Sequence, residues 1–83
     1  MPQNYPNPFN PTTMIRYALP VASRVMVKVY NVLGQEVATL VDEVQEAGFK
    51  AVAFDASKLS SGVYFYRLSA RSYVETKRLL ILK

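Results

Sequence analysis

The constraint that most limits this chain is a series of short runs in which apolar and polar residues alternate, each closed by a turn signal. From Ser23 to Tyr30, Val25, Val27 and Val29 fall on one side and Arg24, Met26, Lys28 and Tyr30 on the other. A period of two means an extended strand with one buried face. Thr13 to Leu19 reads the same way, with Ile15, Tyr17 and Leu19 together, and Pro20 ends the run. Phe49 to Asp55 places Val52 and Phe54 on one face. Gly62 to Leu68 is the strongest β signal: Tyr64, Tyr66 and Leu68 share one face, Val63, Phe65 and Arg67 the other. Tyr73 to Leu82 forms the last strand, apolar on both faces from Leu79 onward. Two-sided apolarity suggests a well-covered strand or a bulge that switches faces.

The turns between these runs are legible. Pro20 to Ser23 is a short connection. Asn31-Val32-Leu33-Gly34-Gln35 suits a type I turn with a left-handed glycine at Gly34, which predicts a hairpin partner starting near Glu36. Gly48 and the loop from Ala56 to Gly62 are further punctuation, and Asp55 is placed to accept backbone N–H groups from that loop. Arg71-Ser72 marks the last turn. Between Glu36 and Ala47 the pattern is ambiguous. Val37, Leu40, Val41 and Val44 recur at helical spacing, with Gly48 available as a cap. The β-branched composition and the preceding turn favour a short strand over Val37–Val41, followed by a polar loop over Asp42–Gly48. Strand spacing of this kind predicts an all-β fold, an immunoglobulin-like antiparallel β-sandwich of about seven short strands.

Ahead of the first strand stands Asn4-Tyr5-Pro6-Asn7-Pro8-Phe9-Asn10-Pro11. Its prolines fix φ, remove backbone donors and push the preceding residues towards extended conformations. Residues 1–12 therefore read as an ordered, extended lead-in with Tyr5 and Phe9 as aromatic anchors, and 13–83 as the sandwich of a single domain. Met1-Pro2 reads as a start added to an excised fragment.

Composition narrows function mainly by exclusion. The 83 residues include no cysteine and no histidine, so neither a disulfide nor a zinc site of those ligands is available. The commonest acid–base and thiol chemistries go with them. Three glycines make no phosphate-cradling loop, and Asp42-Glu43-Val44-Gln45-Glu46 is not a calcium loop. No catalytic residue, cofactor or metal is expected, and the chain reads as a non-enzyme. No apolar run exceeds about four residues, far short of the roughly 20 of a membrane helix. The net charge of +4 is spread along the chain without the clustered stripe a nucleic-acid module needs. The aromatics are strand formers and core fillers first, and a sugar-stacking platform second.

Five phrases carry a resemblance. They are Tyr5-Pro6-Asn7-Pro8-Phe9-Asn10-Pro11-Thr12-Thr13; Val29-Tyr30-Asn31-Val32-Leu33-Gly34-Gln35-Glu36-Val37; Ala47-Gly48 leading to Phe54-Asp55; Leu59-Ser60-Ser61-Gly62-Val63-Tyr64-Phe65-Tyr66-Arg67-Leu68; and Thr76-Lys77-Arg78-Leu79-Leu80-Ile81-Leu82-Lys83. In this order they resemble the type A C-terminal sorting domain of the type IX (Por) secretion system of Bacteroidota. The immunoglobulin-like part of flagellar hook-capping proteins looks similar around Gly34, Asp55 and Gly62-Val63-Tyr64. The resemblance implies a secretion signal joined to an N-terminal cargo, recognised in the periplasm and routed through the outer-membrane translocon. A surface sorting peptidase related to gingipains then removes it, and the cargo is released or attached to the cell surface. It also implies sorting roles for Gly62, Tyr64, Lys77 and Leu80. Arg71-Ser72 departs from the Gly-rich turns common in the family. An apolar last strand suits edge pairing with a receptor sheet, and also self-association of the isolated domain. The alternative function is a carbohydrate- or surface-binding module on an extracellular enzyme; a third is a hook-cap-like scaffold.

Overall fold

The computed structural model describes residues 12–71 and 73–82. The expected lead-in before Thr12 lies outside the described residues. Six strands follow one another: β1 (Thr12–Leu19), β2 (Ser23–Tyr30), β3 (Glu36–Gln45), β4 (Gly48–Asp55), β5 (Gly62–Ala70) and β6 (Tyr73–Ile81). They form two antiparallel sheets, a β1-β4 pair and a four-stranded β3-β2-β5-β6 sheet, arranged as a sandwich. The fold is all-β as the alternation predicts, with six strands among the described residues against the roughly seven expected of the chain.

The core follows from that alternation. Val25, Val27 and Val29 are fully enclosed, on the strand between β3 and β5. Leu68 and Ala70 from β5 stand opposite Val27 and Val25. Ile15, Leu19 and Phe54 close the other side from the two-stranded sheet, with Ala56 just beyond β4. No polar or charged residue is buried among the described residues. The interior is thus an apolar seam that contributes packing and offers no reactive group.

β3 corrects the loop expected over Asp42–Gly48. It runs unbroken to Gln45, and Asp42, Glu43, Val44 and Gln45 pair with Met26, Val25, Arg24 and Ser23. The cause is tertiary: β2 offers a full row of backbone partners, and Asp42 gains an ion pair to Arg24 at 2.6 Å. The helical spacing has its own explanation. The β2–β3 register shifts twice, leaving Leu40 and Val37 opposite no β2 residue. Each bulge adds one residue to β3. Val37, Ala38 and Leu40 all pack against the core as a result. A strand with two bulges thereby acquires apolar spacings of three and four that imitate a helix.

The Asn31–Gln35 turn forms with Gly34 at φ +81°, a conformation costly for any residue bearing a Cβ. Gly34 N–H donates to the Asn31 carbonyl at 3.0 Å, and the Asn31 side-chain oxygen accepts from the N–H groups of Leu33 and Gln35. At the β5–β6 turn, Arg71 sits at φ +56°. A left-handed non-glycine costs about 1–2 kcal/mol, partly offset by the roughly 0.5–1 kcal/mol of backbone entropy a glycine would lose. At the middle of those ranges Arg71→Gly should raise the melting temperature by about 3–6 °C. Differential scanning calorimetry checks it; an unchanged or lower melting temperature would mean that Arg71 has compensating contacts.

Candidate functional site

The four residues to which the resemblance gives sorting roles lie on one element, the β5–β6 hairpin. Gly62 opens β5 opposite Ile81, and Tyr64 stands opposite Leu79. Lys77 is opposite Tyr66 and Leu80 opposite Val63. Their situations differ. Tyr64 is buried, and its hydroxyl donates to the Ser60 carbonyl at 2.8 Å, pinning the loop that leads into β5. Gly62 has φ +156°, and no atom lies within 4 Å of where a Cβ would stand. Backbone conformation, not space, therefore explains a glycine there. Both residues shape the start of β5 rather than presenting a surface.

Lys77 and Leu80 do present surface. A spacing of three on a strand puts two side chains on opposite faces of the sheet. Lys77 shares its side with Tyr73 and Glu75: the Tyr73 hydroxyl donates to Glu75 at 2.9 Å, and the Lys77 ammonium lies 3.6 Å from the other Glu75 oxygen. The hydrogen bond to Glu75 raises the Tyr73 pKa, with desolvation adding to it. Leu80 is 60% exposed on the outer face, beside half-buried Val63. A single ligand touching both Lys77 and Leu80 must lie along the free edge of β6.

That edge has a regular backbone, although Glu75, Lys77 and Arg78 put charge along it. β6 contains no proline, and its register with β5 is continuous from Gly62↔Ile81 to Ala70↔Tyr73. The opposite edge of the same sheet, β3, carries two bulges and the acidic residues Glu36, Asp42 and Glu43. Bulges and edge charges are the usual devices that discourage strand addition. Glu36 is held below the ordinary carboxylate pKa, chiefly by the Thr39 hydroxyl and then by Lys28, whose ammonium is 3.1 Å away.

Gly48 begins β4 opposite Leu19, and Asp55 ends it, accepting the Ser57 N–H at 2.9 Å. Both frame turns remote from β6 in sequence. Among the described residues the aromatic rings do not form one platform: Tyr64, Tyr66 and Tyr17 pack in or against the core, Phe49 is almost wholly exposed, and Tyr30 and Phe65 lie paired on the outer face. Among the described residues no group of His, Cys, Asp and Glu side chains could hold a metal ion.

Sequence reasoning passed over Arg67 and Arg78. Alternation alone puts Arg67 on the face away from Tyr64, but only the register brings Tyr30, Phe65 and Arg78 into one row across β2, β5 and β6.

The described residues thus form a small all-β sandwich with an apolar interior. The chain belongs to the secretion system C-terminal sorting domain family, whose match spans residues 3–82. No curated protein and no solved structure matches it. It is thus a C-terminal sorting signal for type IX secretion, directing export across the outer membrane to the cell surface or the medium. Domains of this family are non-catalytic in general.

Proposed function

We propose that the type IX machinery reads this domain at the free edge of β6, with Lys77 and Leu80 as contacts and Gly62 and Tyr64 as the residues that set the hairpin. Residues 1–83 act as one sorting unit for an N-terminal cargo, with no catalytic activity of its own. The observation that carries this reading is the contrast between the two edges of one sheet, β3 bulged and acidic, β6 regular and apolar at its end. Strand addition supplies main-chain hydrogen bonds for affinity and alternate side chains for specificity. The outer-membrane translocon and the surface sorting peptidase are the partners of this domain, the translocon adding at β6.

The test is export of a periplasmic reporter fused to residues 4–83 in a host with type IX machinery. Lys77→Ala and Leu80→Ala should each retain the reporter in the periplasm while the melting temperature of the domain stays within a few degrees. Normal export of both folded variants would make β6 structural only.

The same edge predicts self-association of the isolated domain. Leu80 and Val74 are exposed on one face of β6, so a second copy has both apolar contact and backbone partners there. Sedimentation at rising concentration should show dimers or larger species, weakened by Leu80→Lys. A monomer up to millimolar protein would argue against an adhesive β6 edge.

A further inference from the structure

We propose that the partner segment is acidic: the strand that adds at β6 carries a carboxylate on the side facing Arg78. This rests on the edge reading only in that a strand adds at β6.

The outer face of the four-stranded sheet is ordered in rows. Glu36, Tyr30, Phe65 and Arg78 form one row across β3, β2, β5 and β6; Thr39, Lys28, Arg67 and Thr76 form the next. In the second row two cations, Lys28 and Arg67, stand directly opposite each other. Like charges so placed are destabilising. Lys28 turns to Glu36, and Arg67 lies over the Tyr30 ring, its guanidinium carbon 5.3 Å from the centroid. Arg24 is paired with Asp42. Among the described residues, neither Arg67 nor Arg78 has a carboxylate in ion-pair range.

The carboxylates of this face, Glu36 and Asp42, are both on β3, the edge away from β6. The sheet is therefore polarised, with acid at its bulged edge and the Arg78 guanidinium, without a carboxylate, at the other. Arg67 also separates two shallow grooves. One of about 190 Å3 is lined by Met26, Lys28, Tyr30, Arg67 and Ser69; another of about 300 Å3 includes Tyr30, Val32, Phe65 and Thr76. A guanidinium on an aromatic floor is suited to planar carboxylates, which it binds through two parallel hydrogen bonds. An added strand lies about 4.8 Å beyond β6. A Glu on its outer side then reaches Arg78, whereas Arg67, on β5 and stacked over Tyr30 of β2, lies two strands away. The inner side of β6 asks for no such partner, because Tyr73, Glu75 and Lys77 already satisfy one another.

The probes are three peptides titrated into the isotopically labelled 83-residue chain and followed by amide and arginine side-chain NMR. The first is acetyl-Thr-Val-Glu-Val-Glu-Val-Thr-amide; the others carry Gln or Lys in place of Glu. Polygalacturonate serves as an anionic glycan. The Glu peptide should shift the Thr76–Leu80 amides and the Arg78 side chain. It should bind at least about tenfold more tightly than the Lys peptide, the size of one charge-assisted contact. In the Arg78→Gln variant that preference should vanish while the Gln peptide binds as before. Equal binding of all three peptides overturns the acidic partner and leaves the edge reading standing. If no peptide perturbs β6, the edge reading falls and the inference with it. If polygalacturonate alone moves Arg78, the face reads a glycan and the inference is overturned.

Discussion

Removing Lys77–Lys83 from a reporter fused to this domain should reduce export to background and leave the reporter in the periplasm. The truncation takes away the half of β6 that carries Lys77 and Leu80, and with it the backbone edge from Lys77 to Ile81. It also removes Ile81 from the core and Leu79 from the packing around it. Loss of export by truncation alone would thus mix a lost contact with a weakened fold. The exposed-residue variants separate the two, because surface substitutions away from packed features usually change stability by no more than about 0.5 kcal/mol. Fractionation of the reporter between periplasm and medium, with thermal melts of each domain, is the measurement. A truncated fusion that still reaches the medium would place the sorting information elsewhere, on β5 or the lead-in.

Leu68→Ala should be the most damaging single truncation of a side chain, and Leu80→Ala among the mildest. Leu68 is 2% exposed, on β5 between β2 and β6, opposite Val27. Emptying such a position costs about 2–5 kcal/mol, from lost transfer energy and the cavity left behind. For a chain of this size that is a large part of a total stability of roughly 4–12 kcal/mol. A loss near 3 kcal/mol corresponds to a fall in melting temperature of about 12–24 °C. Leu80 has the same side chain, but it faces solvent one strand away, so the same substitution should shift the melt by only a few degrees. Circular dichroism melts of the two variants give the comparison. Similar shifts for both would contradict the assignment of inner and outer faces on the hairpin.

The pair also shows where sequence and structure part company. Period-two alternation gave the inward faces of β1, β2, β4 and β5 correctly, because it is a local property of an extended backbone. Glycine and asparagine placed the Asn31–Gln35 turn for an equally local reason: few residues tolerate the φ of Gly34. The family phrases lie along the chain and needed no folding to be seen. β3 was different. Its bulges are set by pairing with β2, and they gave its apolar residues a helix-like spacing that local reading could not decode.

The candidate site divides in the same way. Gly62, Tyr64, Lys77 and Leu80 came from the family resemblance, not from alternation or spacing. That Gly62 and Tyr64 shape the hairpin while Lys77 and Leu80 face outward on opposite sides came from the register of β5 with β6. Leu79 to Leu82 looked two-sided and covered, but β6 is an edge strand with Leu80 and Leu82 exposed. Sequence by itself determined the strand period, the hairpin turn at Gly34 and the family. Only the tertiary structure decided which strand is an edge, and which cations find a carboxylate. Strand order and register join residues far apart in the chain, and local alternation records which way a side chain points, never what it will meet there.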